Sequence, residues 1–251
     1  MESEKRFADY FSSTAPKYLR FRPTYPPELF EYLVSNCQGH ECALDCGTGS
    51  GQAALGLTQF FQRTVATDAS QQQIENAVAH EKIFYVAARA EALPLQPRSV
   101  DLFMVAQALH WFDFERFYAE VRRVLKPGGL FAASCYHWTR ITPEVDAVRD
   151  AYQKTIVGAY WPPGRHFVDE MYRTIPFPLK EIPAPVFTME YQWNMHDLIG
   201  YLETWSATQQ YKEKNGTNPI DQIRENLQHA WGDPEEQKRV VWPLYLRVGT
   251  V

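Results

Sequence analysis

The sequence predicts an α/β protein whose mostly parallel sheet is covered by helices on both faces. Short apolar segments alternate with helical patterns between residues 42 and 135, and the segment 100–106 is almost continuously apolar. Such alternation is typical of parallel sheets, and an unbroken apolar run is typical of a strand buried on both faces. A glycine-rich turn follows the first predicted strand, which indicates a ligand site at the carboxyl end of the sheet.

The elements follow one another in the order that this fold requires. Pro27 suits the first turn of a helix running to about Asn36. The predicted strands are 42–46, 65–67, 83–87, 100–106 and 130–135, with helices between them at 52–60, 71–79 and 113–126.

After residue 136 the alternation stops. Residues 143–157 have a helical pattern, and the prolines that follow cannot join a central sheet. Strand patterns return at 186–193 and 240–248, with helical patterns at 196–207 and 219–231, and Pro243 predicts an edge or a bulge in the last strand. We therefore expect a single domain. It comprises an N-terminal arm at 1–26, a core at 27–135, cap insertions at 136–185 and 194–237, and C-terminal strands at 186–193 and 238–251.

Composition excludes several classes of protein. The 251 residues are 45% hydrophobic, which is ample for a core, and the formal charge of −5 gives no overall basic surface for nucleic acid or for an anionic membrane. No apolar run approaches the roughly 18 residues that a membrane helix needs, so we expect a cytoplasmic protein. The four cysteines form no C-x-x-C pair and have no histidine at zinc-finger spacing, which predicts reduced thiols and no metal site.

The turn at 44–52 reads Leu-Asp-Cys-Gly-Thr-Gly-Ser-Gly-Gln. Closely spaced glycines allow positive φ and a close approach of the backbone to a ligand. In the dinucleotide fingerprint G-x-G-x-x-G the third glycine would fall at position 52, which is Gln52. The turn therefore favours a nucleoside ligand other than NAD, and a tight turn without a ligand is the alternative.

Polar residues end the first, second and fourth predicted strands, at Asp45, Asp68 and Gln107. In doubly wound sheets these ends converge on the ligand. Asp68 follows Asp45 by 23 residues, which suits a carboxylate that accepts the ribose hydroxyls of a nucleoside. Its alternative role is to cap the helix that begins near Gln71.

Other polar and aromatic residues follow the third and fourth strands. Ala90 and Glu91 lie where the adenine rim would be, although Glu91 could equally be solvated. His110 and Trp111 bring an imidazole and a large ring to the predicted cleft, where His110 is either catalytic or structural. The arm before Pro26 is rich in aromatic and basic residues and either packs on the domain or closes as a lid.

Four segments together resemble the class I S-adenosylmethionine-dependent methyltransferases: the glycine turn, the acidic strand end at Asp68, residues 106–113 and the run Leu-Lys-Pro-Gly-Gly-Leu at 125–130. Residues 18–26, 107–112 and 201–206 look like the small-molecule branch that includes trans-aconitate methyltransferases. This resemblance implies a Rossmann-like sheet of seven strands with an antiparallel last strand, helical caps, and S-adenosyl-L-methionine as cofactor. It also implies a small-molecule acceptor that is anionic or carries a carboxylate.

The resemblance also implies roles for individual residues. Gly47 and Gly49 would lie under the methionine part of the cofactor, Asp68 would hold the ribose, and Tyr18 with Arg22 would hold the cofactor carboxylate. The predicted cofactor site is completed by Asp45, Gln52, Ala69, Ala90, Glu91 and Gln107. Where such enzymes often carry Asp after the third strand, this chain has Glu91.

For the acceptor, we predict contacts from Arg20, Trp111, Arg140 and Trp161. A guanidinium grips a carboxylate in two places. A carboxylate acceptor would need no base, whereas a phenol or an amine could recruit His110.

The alternatives to a methyltransferase are a cofactor-binding protein without transfer activity and a nicotinamide-dependent oxidoreductase. A nucleic-acid or protein methyltransferase is disfavoured, because no N/D-P-P-Y/F motif follows the fourth strand. We expect a monomer or a weak homodimer.

Overall fold

Eight strands form one sheet in the computed structural model, which describes residues 21–251. The strands are β1 (Cys42–Cys46), β2 (Arg63–Asp68), β3 (Ile83–Ala87), β4 (Val100–Ala106), β5 (Leu125–Tyr136), β6 (Lys180–Ile182), β7 (Phe187–Trp193) and β8 (Lys238–Thr250). Their order is β3-β2-β1-β4-β5-β8-β6, and β7 also pairs with β8. The five strands from β1 to β5 pair in parallel, whereas β8 is antiparallel to all of its partners. This confirms the predicted sheet class.

The additional strand, β6, is a finding that the sequence did not predict. Its three residues lie in the proline-rich passage that we assigned wholly to a cap, and they pair with the last residues of β8. The strand is possible there because Pro178 and Pro183 flank it and none of its own residues is a proline.

Pro243 does not mark an edge strand, so that prediction is wrong. β8 lies between β5 on one side and β6 with β7 on the other. Pairing between β5 and β8 ends at Tyr136 and Leu244, and beyond it the N–H of His137 donates to the carbonyl of Pro243 at 3.1 Å. The proline therefore lies at the end of this pairing, where its missing N–H disrupts no regular ladder.

Nine α-helices accompany the sheet in the described residues. They are α1 (Pro27–Ser35), α2 (Gln52–Leu57), α3 (Gln71–Glu75), α4 (Phe114–Val124), α5 (Pro143–Ala151), α6 (Arg165–Asp169), α7 (Met195–Glu203), α8 (Ser206–Asn215) and α9 (Arg224–Trp231). The predicted helix at 143–157 is divided, because α5 continues as a π-helical stretch, Tyr152–Ile156. The predicted helix at 52–60 ends earlier, where the Thr58 hydroxyl donates to the carbonyl of Leu55.

The core has one apolar cluster on each face of the sheet. Along β4, Leu102 and Met104 belong to one cluster, whereas Phe103 and Val105 belong to the other. The first contains apolar residues of α1, α5 and α7, and the second contains those of α4. This alternation is the arrangement expected of a strand that is buried on both faces.

The cap reaches the carboxyl ends of the central strands through α6. This helix contacts the 3-10 turn Leu109–Trp111, which begins three residues after the end of β4. A cleft can therefore form between the end of the sheet and the cap. Within residues 21–251, no helix is both long enough and apolar enough to cross a bilayer.

Candidate active site

The glycine turn joins the end of β1 to α2. Gly47, Gly49 and Gly51 have φ angles of 72°, 53° and 83°, which lie in the left-handed region that favours glycine. The carbonyl of Thr67 accepts hydrogen bonds from the N–H groups of Gly47 and Thr48, at 2.8 and 2.9 Å. The turn is thus tied to the neighbouring strand β2.

The three glycines differ in what surrounds them. A Cβ at Gly47 would lie 2.6 Å from the Cβ of Ala108, and one at Gly51 would lie 2.1 Å from the hydroxyl oxygen of Tyr85. A Cβ at Gly49 would meet no atom within 4 Å. Packing within the protein therefore requires glycine at two positions, and only Gly49 faces open space.

Asp45 is fully buried beneath this turn. Its Oδ2 accepts hydrogen bonds from the Thr48 hydroxyl at 2.6 Å and from the N–H of Ala54 at 3.0 Å. Its Oδ1 is buried with no hydrogen-bond partner in the described chain. Burial raises the pKa of Asp45 to about 6, although the two hydrogen bonds oppose this shift.

Asp68 links the end of β2 to the glycine turn. Its Oδ2 accepts from the N–H of Gly49 and its Oδ1 from the N–H of Ser70, both at 2.9 Å. Helix α3 is capped by the Ser70 side chain, which accepts from the N–H of Gln73. Asp68 is therefore not the cap of that helix, and its carboxylate lies beside the open position at Gly49.

The remaining residues predicted to bind the cofactor lie around this turn and the adjacent strand ends. Gln52 begins α2, and Ala69 is exposed directly after Asp68. Ala90 is buried. Glu91 accepts a hydrogen bond from the N–H of Asp113 at 2.9 Å, which fixes its carboxylate to the start of α4.

Gln107 is held in an unusual conformation at the end of β4. Its φ is 58°, which is uncommon for a residue other than glycine and is often found at functional sites. Its backbone N–H donates to the carbonyl of Ser134, and its Oε1 accepts from the N–H of Tyr136, both at 2.8 Å. The side chain therefore joins the ends of β4 and β5.

A cleft opens beyond these two strand ends. It is lined by Arg22, Gln107, His110, Trp111, Tyr136, His137, Trp138, Trp161, Pro162, Arg165, Tyr201, Trp205 and Ser206. Trp111 and Trp161, which we predicted to contact the acceptor, are both on this lining.

Arg22 lies against α7 and the end of β5. Its Nε donates to the Thr204 hydroxyl at 2.9 Å, one terminal nitrogen donates to the Thr204 carbonyl at 3.1 Å, and the other donates to the Tyr136 hydroxyl at 2.6 Å. Its guanidinium carbon is 5.3 Å from the ring centre of Tyr201. These contacts orient Arg22 along the cleft wall.

Arg165 is the second arginine of the cleft, and the sequence did not point to it. Its guanidinium carbon lies 4.0 Å from the ring centre of Trp138 and 4.6 Å from that of Trp161. Its Nε and one terminal nitrogen donate to the same oxygen of Asp169. Two rings and one carboxylate therefore fix the orientation of this cation.

His110 lies in the 3-10 turn after β4. Its Nδ1 is 2.8 Å from the hydroxyl oxygen of Tyr172, and its ring centre is 4.7 Å from that of Trp111. Burial, with a smaller effect from the charge of Arg165, lowers the pKa of His110 to about 3. His110 is therefore neutral at physiological pH.

Other predicted residues lie elsewhere. Tyr18 and Arg20, with most of the predicted arm, lie outside the described residues. Arg140 is exposed, is bridged through its backbone to Val241, and is not on the cleft lining. Sequence reasoning missed Arg165, Tyr136 and His137, and it singled out the segment 201–206, which contains Tyr201, Trp205 and Ser206, only by resemblance and without a site role. Little in the sequence indicates that Arg165 is a site residue. It follows a run of aromatic residues and prolines, and no spacing rule links it to β4.

The turn fits a nucleoside cofactor that carries a cationic end. Gly49 leaves an open position lined by a backbone turn, Asp68 lies beside it, and the Oδ1 of Asp45 is a buried acceptor without a partner in residues 21–251. Hydroxyl and ammonium donors are the groups that such acceptors bind.

Known proteins are similar to this chain in sequence and in fold. The profile of a family described as "Methyltransferase domain" matches residues 44–133. A protein of Dictyostelium discoideum named "Putative methyltransferase" is 32% identical over 248 residues, covering 96% of this chain and 94% of its own length. A solved structure titled as a putative type II methyltransferase from Anaeromyxobacter dehalogenans is 46% identical, with a TM-score of 0.84, over 92% of this chain and 98% of that chain.

A match over a shorter segment is to a protein whose name states a cofactor. A Saccharomyces cerevisiae protein named as a probable S-adenosylmethionine-dependent methyltransferase is 30% identical over 136 residues, which is 51% of this chain and 45% of that protein. Given the relative that matches 96% of its length, the family profile and the similar solved structure, the chain belongs to the class I S-adenosylmethionine-dependent methyltransferases.

Proposed function

We propose that this methyltransferase acts on a small organic acid and converts one of its carboxylates to a methyl ester. The observation that supports this proposal is the charge of the cleft. Among residues 21–251, the lining contains two arginines and two histidines, but no aspartate or glutamate. An anionic acceptor would meet no like charge on these walls.

The two arginines differ in how many of their guanidinium nitrogens donate hydrogen bonds to the described protein. All three nitrogens of Arg22 donate to Thr204 or Tyr136, whereas two of the three in Arg165 donate, both to Asp169. In Arg165 these two are Nε and one terminal nitrogen, and the ring centres of Trp138 and Trp161 lie 4.0 and 4.6 Å from the guanidinium carbon. A guanidinium has five N–H donors in a rigid fork, and its terminal nitrogens can grip a carboxylate in the plane of the group. Arg165 is therefore our first choice for the acceptor carboxylate, and Arg22 is the second.

The rest of the lining suggests the body of the acceptor. Trp138, Trp161 and Trp205 form one cluster, with ring centres 5.1 to 5.8 Å apart. Clefts lined mainly by aromatic side chains and a few polar groups are typical of small-molecule sites. The resemblance of residues 18–26, 107–112 and 201–206 to the trans-aconitate branch supports the same class of acceptor.

The chemistry asks little of the protein beyond binding and orientation. Bound S-adenosylmethionine supplies a methyl group that a carboxylate oxygen attacks, so that the carbon–sulfur bond breaks and the neutral thioether leaves. No proton has to be removed, which agrees with a cleft whose central histidine has a pKa of about 3. The protein contributes by holding the two reactants in line, which can supply on the order of 7 to 11 kcal/mol.

A methyl-transfer screen with matched acceptors tests this proposal. Di- and tricarboxylates, aromatic acids and fatty acids are each compared with the corresponding amide, and phenols and amines are included. We expect turnover with acids and none with amides. Arg165→Gln should lower kcat/KM for the acid roughly 10- to 100-fold, because a hydrogen bond to a charged group is worth about 1.5 to 3 kcal/mol. Binding of S-adenosylhomocysteine should be unchanged.

The matched control is Arg140→Ala, which removes an exposed arginine that is not on the cleft lining. It should leave acceptor kinetics unaltered. Turnover confined to neutral or cationic acceptors, and insensitive to Arg165→Gln, would refute the proposal. The oligomeric state, a monomer or weak homodimer, stays a prediction that light scattering can check.

A further inference from the structure

Tyr172 and His110 form a buried pair beside the cleft. Tyr172 is fully buried just after α6, with a φ of 59°, which is uncommon for an aromatic residue. Its carbonyl accepts a hydrogen bond from Arg247 at 3.0 Å, which helps to hold this conformation. Its hydroxyl lies 2.8 Å from Nδ1 of His110.

The direction of this hydrogen bond follows from the burial of the Tyr172 hydroxyl. Burial raises the pKa of Tyr172 well above its usual value, so the hydroxyl keeps its proton. Within residues 21–251, Nδ1 of His110 is the acceptor that lies within hydrogen-bond distance of this hydroxyl. Because a buried hydroxyl hydrogen needs an acceptor, the Tyr172 hydroxyl donates to Nδ1 of His110.

This arrangement determines which ring nitrogen of His110 carries the hydrogen. In a neutral imidazole one nitrogen is a donor and the other an acceptor. If Nδ1 accepts from Tyr172, then Nε2 carries the hydrogen. Within residues 21–251, Nε2 has no hydrogen-bond partner, and His110 is on the cleft lining.

The backbone around His110 is also tightly packed. A Cβ at Gly164, immediately before α6, would lie only 2.5 Å from the carbonyl oxygen of His110. The ring lies beside that of Trp111, with 4.7 Å between centres and a tilt of 40°. The imidazole is therefore held in one place, on a residue that lines the cleft.

We propose that His110 binds the acceptor by donating Nε2–H to an oxygen of its carboxylate, and that Tyr172 is the positioning residue that maintains this tautomer. This inference rests on the proposed function, because it needs an acceptor with an oxygen acceptor group. It assigns His110 a role opposite to that of a general base. The charge of Arg165 on α6, together with burial, disfavours a second proton on the ring.

Long-range ¹⁵N NMR of the histidine rings in the full chain tests the tautomer without any acceptor. The signals of His110 are assigned by their loss in His110→Gln. We expect a neutral ring with hydrogen on Nε2 from pH 6 to 8, and a mixture of tautomers or a changed Nδ1 signal in Tyr172→Phe. A ring with hydrogen on Nδ1, or a doubly protonated ring, would overturn the inference whatever the acceptor is.

Kinetics with an acid that the screen identifies as a substrate tests whether Nε2 of His110 donates a hydrogen bond to the acceptor. The amide nitrogen of Gln can reach the position of Nε2, whereas that of Asn reaches only the position of Nδ1. His110→Asn should lower kcat/KM roughly 10- to 100-fold, mainly through KM, because a donor to a charged group is lost. His110→Gln should recover most of that loss, and both variants should bind S-adenosylhomocysteine as the native chain does.

The outcomes separate the two proposals. Equal losses in His110→Gln and His110→Asn, falling on kcat rather than KM, would overturn the donor role while leaving acids as acceptors. If the screen finds no acid substrate although NMR shows hydrogen on Nε2, the proposed function fails, and with it the carboxylate as the partner of His110.

Discussion

The glycine turn and the cleft are adjacent parts of one active site, but they are built in different ways. The turn positions backbone groups and two carboxylates that are 23 residues apart in the chain, Asp45 and Asp68. The cleft is assembled from side chains between Arg22 and Ser206, mainly aromatic rings and cations. We infer that changes in the turn will affect folding and cofactor binding, whereas changes at Arg165 and at the tryptophans of the cleft will affect the acceptor alone.

The largest effect is expected from Gly51→Ala in the turn. Its positive φ costs an L-residue roughly 1–2 kcal/mol, and overlap with packed atoms typically adds about 1–3 kcal/mol. Here the new Cβ would meet the Tyr85 hydroxyl, which donates to the carbonyl of Val78 at 2.7 Å. Chemical denaturation should therefore show a loss of about 3 kcal/mol in the free energy of unfolding.

Gly49→Ala is the matched control for this prediction. It has the same type of backbone conformation, but its Cβ would point into open space. The free energy of unfolding should therefore fall only by the cost of the positive φ, roughly 1–2 kcal/mol, and S-adenosylhomocysteine should bind more weakly. If the two variants lost equal stability, packing would not be what distinguishes the glycines.

The second-largest effect is a pH dependence of the free energy of unfolding that arises from Asp45. Its folded pKa of about 6 lies above its ordinary value of 3.8, so the folded protein retains a proton that the unfolded chain releases. The resulting stabilisation is complete below about pH 4 and is lost as the pH rises through 6. Between pH 4 and pH 7, the free energy of unfolding without cofactor should fall by roughly 2–3 kcal/mol more in the native chain than in Asp45→Asn.

Urea denaturation of both proteins at several pH values measures this difference. Parallel pH profiles would show that Asp45 is not the group responsible. A flatter profile for the Asn variant would show that this buried carboxylate reduces stability near neutral pH, which is expected of a residue retained for ligand binding.

The third effect is on cofactor affinity. Asp68→Ala removes the carboxylate beside Gly49 and leaves the proposed ribose hydroxyls without an acceptor. Calorimetry should show affinity for S-adenosylhomocysteine reduced roughly tenfold or more, since such hydrogen bonds are worth about 1.5 to 3 kcal/mol. Glu190→Gln, an exposed change on β7, is the control. An unaltered dissociation constant for Asp68→Ala would contradict the ribose assignment.

The smallest effect is expected in the cleft. Trp138→Leu removes one of the two rings that cover Arg165, whose guanidinium carbon is 4.0 Å from the Trp138 ring centre. A cation–π contact is worth about 0.5 to 1 kcal/mol where it is partly solvated, so KM for the acid should rise roughly two- to fivefold. Trp138→Phe should have a weaker effect. Reduced S-adenosylhomocysteine binding in either variant would show that the two parts of the site are not independent.

The sequence by itself determined the parallel core and the residues of the glycine turn. The predicted bounds of β1, β3 and β4 agree with the structure, because a buried strand next to glycine or helix signals is specified by local apolar patterning. The same local reasoning identified Asp68 as the end of β2. Each of these features depends on neighbours within a few residues along the chain.

Only the tertiary structure decided which groups form the cleft and how they are paired. His110 contacts Tyr172 across 62 residues and Arg22 contacts Thr204 across 182, while Arg165 lies against two tryptophans of the cap. Likewise, only packing against Ala108 and Tyr85 distinguishes Gly47 and Gly51 from Gly49. A contact between distant residues depends on the folding of all the chain between them, and local sequence patterns do not encode it.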